Sequence, residues 1–228
     1  MQRSPRPRQT ASLSDSLHQQ LTSYALAAGA AGVSVLALTQ PSEARIAYTP
    51  THRVLVGRGS IVLDLNHDGI KDFRLFQTFT HTSGNYQHST LNVYAAKNTR
   101  NRIFGTGIYA SALPAGALIG PFGKFPAKDN LMAKLMNPDS SYQWYGQWAN
   151  GGKGVKNRYL GLKFTIKGKV HFSWARLTVS TAGNRITTTL TGYAYETIPN
   201  KPIIAGKTKG PDVVVQHASL GELALGRK

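Results

Sequence analysis

The chain has 228 residues, no cysteine, and 27 Lys and Arg against 10 Asp and Glu, a formal charge of +17. A body of this length buries a substantial core without staples, and the lack of cysteine excludes disulfides, thiol catalysis and thiolate metal sites. The charge favours acidic surfaces, anionic polysaccharide, nucleic acid or lipid headgroups as partners and says nothing about fold.

Residues 1–44 have the layout of a secretory signal peptide. Arg3, Arg6 and Arg8 form a basic n-region, residues 24–38 (YALAAGAAGVSVLAL) are an uncharged apolar run of 15, and Ser42 and Ala44 are small residues placed before a cut. Cleavage is expected after Ala44, so the mature chain starts at Arg45 and is exported to the periplasm, the cell surface or the medium. The competing reading is a retained anchor, for which 15 residues fall short of the roughly 20 that a span needs. No transmembrane span is then expected after processing. Removing residues 1–44 takes away three Arg, Asp15 and Glu43, and leaves 24 basic against 8 acidic side chains, or +16. The expected organisation is the leader 1–44, a folded body over 45–205, and a flexible basic tail over 206–228.

After Ala44 the sequence runs in short stretches rich in branched and aromatic residues, separated by Gly, Asn, Asp or Ser. HRVLV (52–56), SIVLDL (60–65), DFRLFQTF (72–79), STLNVYAA (89–96) and RIFGTGIYA (102–110) each read as a strand. Residues 129–137 (DNLMAKLMN) place Leu131, Met132, Leu135 and Met136 at helical spacing and predict the one short helix, packed on the core. Residues 159–197 carry the clearest pattern. Leu160, Leu162, Phe164 and Ile166 alternate with polar residues, KGK turns the chain, and Val170, Phe172 and Trp174 continue on one inward face. The apolar phase then changes to Ala175, Leu177 and Val179, which predicts a β-bulge near Ala175. A second turn, STAGN, leads into RITTTLTGYAY and completes an antiparallel meander. The expected fold is all-β: an antiparallel, jelly-roll-like β-sandwich with at most one short helix.

The segments YLGLKF, VHFSWARLTVS and LTGYAYETIPNKPIIAG resemble the C-terminal half of a loosely characterised group of bacterial exported proteins that often carry a PEP-CTERM-type sorting tail. The resemblance covers about 50 residues and implies export, but no activity. The terminal ASLGELALGRK is similar to the start of such a tail, yet it lacks the Pro-Glu-Pro signature and a hydrophobic span.

Three of the eight acidic residues of the mature chain lie in DLNHDGIKDF (64–73), with the spacing D-x-N-x-D-G-x-x-D. Calcium wants six to eight oxygens, and Asp64, Asn66 and Asp68 at alternate positions can turn theirs inward around the bend at Gly69. Ile70 offers a carbonyl, and Asp72 a carboxylate, directly or through water. The twelfth position is Leu75 rather than the bidentate Glu of an EF-hand, and the flanks read as strands. The loop therefore resembles the strand-borne DxDxDG loops of dockerin-like and FG-GAP-like repeats. The competing reading is a polar turn capped by Asp and Asn. Four such residues at coordinating intervals favour Ca2+.

Residues 141–154 (SYQWYGQWANGGKG) gather Tyr142, Trp144, Tyr145 and Trp148 among amides and glycines. They form either a platform for a cell-surface glycan or, through Trp144 and Trp148 at the same parity, part of the core. Basic residues occur singly and in pairs, so any nucleic-acid binding is expected to lack sequence preference. A glycosidase needs two placed carboxyl groups, and outside the loop the mature chain keeps only Asp129, Asp139, Glu196, Asp212 and Glu222. There is no G-x-S-x-G elbow. The sequence therefore points to an exported calcium-binding sandwich with a non-catalytic role. A carbohydrate-binding module and a sandwich hydrolase using Glu196 with an Asp are the alternatives.

Overall fold

A computed structural model describes residues 45–81, 87–97, 99–126, 129–137 and 141–210. The leader, Asp139 and the segment 211–228, with Asp212 and Glu222, lie outside them. In chain order the strands are β1 (Ile46–Val56), β2 (Gly59–Leu63), β3 (Phe73–His81), β4 (Gln87–Ala95), β5 (Arg102–Ile103), β6 (Gly105–Thr106) and β7 (Tyr109–Ala110). They continue with β8 (Leu118–Ile119), β9 (Asp129–Met136), β10 (Gln143–Tyr145), β11 (Val155–Ile166), β12 (Lys169–Ser180), β13 (Thr187–Glu196) and β14 (Ile203–Ile204). The fold is the expected all-β sandwich. One sheet has the order β1-β13-β12-β11-β5 and the other β2-β3-β4-β9-β7-β6, with β10 beside β9 and a separate pair β14-β8. Pairing is antiparallel except between β7 and β9.

The two sheets close on one core because alternate residues of each face the other. Ile61, Leu63, Phe73, Leu75, Leu91 and Val93 from one sheet meet Leu160, Leu162, Phe164, Leu177, Val179 and Leu190 from the other. Among the polar groups in this interior is Gln77 on β3. Its Nε2 donates to the carbonyls of Gly57 and Ile186 at 3.0 and 2.7 Å, and its Oε1 accepts from the Thr188 hydroxyl at 3.1 Å. One amide thus joins β3 to the β1–β2 turn and to the sheet opposite.

The hairpin of residues 159–180 is present, and its turn is set by Lys167 and Gly168, both at positive φ (48° and 78°). That pair of conformations suits the twist of a two-residue hairpin. The expectation of one inward face is corrected. Phe164 pairs with His171 and Lys163 with Phe172, so Phe172 and Trp174 point away from the main core. They enter a second cluster with Ile119, Tyr159, Ala194, Ile203 and Ala205. The change of phase after Trp174 reflects a strand covered on both faces, because β12 keeps its register with β11 through Ala175. The bulge in this region sits on the neighbour instead, where Thr191 of β13 is skipped between the pairs Arg176–Gly192 and Leu177–Leu190. The second cluster holds the chain beyond residue 205, since the Lys207 carbonyl accepts the Trp174 indole N–H at 3.2 Å.

Two further expectations are corrected. Residues 129–136 form strand β9 rather than a helix. A bulge opposite Leu91 and Asn92 skips Met132, so Met132 and Ala133 are both buried and the apolar spacing imitates a helical turn. Residues 102–110 form three short strands instead of one, because Phe104 leaves the main core for the second cluster and the chain doubles back at Gly107 (φ 55°). Gly105 permits that reversal: a Cβ there would lie 2.1 Å from the Tyr109 carbonyl oxygen. Among the described residues no helix is long and apolar enough to cross a membrane.

Replacing Gln77 by Leu should leave two carbonyls and a hydroxyl unpaired in the core and cost about 3 kcal/mol. For a body of this size that lowers the melting temperature by roughly 6–12 °C. Thermal and urea unfolding of Gln77→Leu measure it, and a loss below about 1 kcal/mol would show that the cross-sheet amide is dispensable.

Candidate metal centre

The loop between β2 and β3 is built by its own polar side chains. Asp64 Oδ2 accepts the Gly69 N–H at 2.9 Å and closes the loop across five residues. Asp68 Oδ1 accepts the Ile70 N–H at 2.8 Å, and its Oδ2 accepts from Asn66 Nδ2 at 2.9 Å. The turn requires left-handed backbone at His67 (φ 59°) and Gly69 (φ 85°). Those hydrogen bonds hold the Asp68 carboxyl below the ordinary carboxylate range, Asn66 contributing most and Ile70 next.

Asp72 is the last residue of the loop and is buried. It is 5% exposed; its Oδ2 accepts the Leu65 N–H at 2.8 Å and its Oδ1 accepts from Asn101 Nδ2 at 3.3 Å. Asn101, also buried, passes the connection on, since its Oδ1 accepts the Thr165 N–H of β11 at 3.2 Å. The loop is therefore tied to both sheets. Burial pushes the Asp72 carboxyl from its ordinary 3.8 up to about 6, against the pull of the Leu65 and Asn101 hydrogen bonds, with Asp64 and Asp68 adding repulsion.

On its other side the loop leans on the first sheet through His67. The imidazole Nε2 lies 2.8 Å from Thr49 Oγ1 on β1, and the ring packs 5.9 Å from that of Tyr193 on β13. Burial first, then the nearby loop carboxylates, raises the phenols: Asp64 acts on Tyr193 and Asp68 on Tyr195. Sequence reasoning missed His67 and Asn101. His67 carries a weak signal, being inside the motif, whereas Asn101 lies 29 residues from Asp72 and carries none.

Asp64 Oδ1 and Asn66 Oδ1 are buried with no hydrogen-bond partner. Leaving such an acceptor unmet costs about 1–3 kcal/mol, a cost that a coordinated cation removes. Gln87 Oε1, Asn130 Oδ1 and Ser173 Oγ are also unpaired, but only in the loop do two such oxygens belong to residues two apart. Among the described residues no three His, Asp or Glu side chains gather as a metal-holding group, so a cation in this loop would draw on a mixed set of carboxylate, amide and backbone carbonyl oxygens. That mixture fits calcium, which takes carbonyl and amide oxygens as readily as carboxylates.

The other candidate residues are dispersed. Trp148 is fully buried, with its indole N–H donating to the Ala110 carbonyl at 3.1 Å, and Trp144 packs against the core beside Gly152. Tyr142 and Tyr145 are exposed. The strand ends at Tyr145, so the shared parity of the tryptophans is not what buries Trp148. Glu196 is 2% exposed, and its Oε1 accepts the Ile198 N–H at 3.1 Å. No protein-family model, no curated protein and no solved structure matches the chain.

Between pH 3.8 and about 6 the folded protein keeps a proton on Asp72 that the unfolded chain has released. The contribution of this group to stability is therefore greatest below the lower value and falls as pH rises through the window. Carboxyl-carbon NMR titration of calcium-free protein should place the Asp72 midpoint near 6 and that of Asp68 below 3.8. An Asp72 midpoint near its ordinary value would mean that water reaches the carboxylate.

Proposed function

We propose that this chain is an exported calcium-binding β-sandwich protein with a non-catalytic role at the cell surface, in the periplasm or in the medium. The observation that carries the calcium reading is the pair of buried, unpaired oxygens on Asp64 and Asn66, inside a loop that the Asp64 carboxylate closes onto the Gly69 N–H. Asp64, Asn66, Asp68 and the carbonyl of Ile70 would hold the ion. Asp72, buried and bonded to Leu65 and Asn101, positions the end of the loop and would reach the ion through water. The ion would supply structural charge neutralisation where carboxylates otherwise repel. Export rests on the layout of residues 1–44 and on the resemblance to exported proteins described above.

With no bidentate Glu at the twelfth position, binding should be weak, on the order of 0.1–1 mM, as in extracellular modules. A dissociation constant of about 0.2 mM and about 2 mM calcium give roughly 1.4 kcal/mol of stabilisation. The melting temperature should then rise by about 3–6 °C, and magnesium should do much less. Asp64→Ala and Asp68→Ala should each abolish the shift, while Asp139→Ala should keep it. An unchanged wild-type melting curve between excess chelator and millimolar calcium would reduce the loop to a polar turn.

A further inference from the structure

The outer face of the second sheet, away from the core, carries an open groove of about 780 Å³. Its floor includes one register line across four strands, in which Val62 on β2 pairs with Arg74 on β3, Arg74 with Tyr94 on β4, and Tyr94 with Asp129 on β9. At strand spacings of about 4.8 Å this line runs for about 14 Å, enough to support an extended segment of a linear polymer. Lys71, just before β3, and Lys97, just after β4, stand at the same end of the groove. Both are exposed, and among the described residues neither Lys71, Lys97 nor Arg74 makes an ion pair.

Among the described residues that line the groove, three cations stand against the single carboxylate of Asp129, which makes it a receptor for negative charge. Arg74 is pre-set for it: the guanidinium lies over the rings of Phe76 and Tyr94, 5.1 and 5.3 Å from their centroids. A planar fork held on aromatic faces presents its N–H groups to a carboxylate with less entropy to lose than a free side chain. The same packing argues against nucleic acid. Single strands are gripped by stacking bases on open aromatic faces, and here the guanidinium covers the rings. Asp129 adds an acceptor for the hydroxyls of a sugar, which a nucleic-acid backbone offers more sparsely. Ser60 at the groove and Asn92 on the adjoining register line add hydroxyl and amide groups of the kind that sugars use.

We propose that this groove binds a carboxylate-bearing polysaccharide, with Arg74, Lys71 and Lys97 holding its carboxylates and Asp129 taking its hydroxyls. The inference does not require the calcium reading, although Lys71 belongs to the same loop, so it is tested in excess chelator. Binding of polygalacturonate is measured by calorimetry at low salt, with dextran as the neutral polymer and oligo-dT as the competing polyanion. Lys71→Ala/Lys97→Ala removes two exposed cations without disturbing the fold and should weaken polygalacturonate binding by about tenfold. Lys156→Ala/Lys169→Ala removes the same charge from the other sheet and should change binding less than about twofold. Dextran should not bind, and oligo-dT should bind more weakly than polygalacturonate. Equal losses in the two double variants would overturn the proposal, as would no binding of polygalacturonate or oligo-dT binding as tight through the same lysines.

Discussion

The carboxylate of Asp72 is enclosed where the two sheets meet, and much of the candidate centre depends on how it is held. Its side chain fixes the Leu65 amide, its carbonyl accepts the Ala96 N–H, and its own amide donates to the Leu63 carbonyl. Asn101 then carries the link from Asp72 to Thr165 on the opposite sheet. A carboxylate in such a place is costly, and two donors, the Leu65 amide and Asn101 Nδ2, offset part of that cost. With both ends of the loop pinned, Asp64, Asn66 and Asp68 are left a narrow range of arrangements. A preordered loop loses less entropy when it meets an ion, although its carboxylates must then tolerate one another while the ion is away.

The first sheet supplies the rigid wall against which this loop rests. Its central strand, β12, is buried on both faces over residues 171–175, with Ala175, Leu177 and Val179 in the main core and Phe172 and Trp174 in the second cluster. A strand covered on both sides resists bending, so its neighbour β13 can present Tyr193 and Tyr195 as a fixed surface for His67 and the loop. Among the described residues the second sheet is covered on one side only. Its free face carries the groove with Arg74, which separates the acidic loop from a charged open face.

The strands were legible from sequence wherever one face met the core and the other met solvent. Residues 73–77 and 89–95 both alternate strictly. The Lys167–Gly168 turn could also be read, because few residue pairs accept positive φ twice. Reading failed where a strand broke its period. The bulge at Met132 made β9 look helical, and the double burial of β12 looked like a bulge. In both cases the cause was a partner strand or a covering segment far away in the chain. The acidic spacing of the loop is legible within nine residues, but the buried role of Asp72 depends on Asn101 and could not be seen locally.

The account comes down to two oxygens. Asp64 Oδ1 and Asn66 Oδ1 are withdrawn from water and left without a donor, which makes sense if a cation belongs between them and is an unexplained cost if it does not. Crystals grown in millimolar calcium, with anomalous scattering used to locate the ion, test this most directly. The account predicts a peak within about 2.3–2.6 Å of both oxygens, with Asp68 and the Ile70 carbonyl completing the shell. An ordered loop without a peak at that position would contradict it.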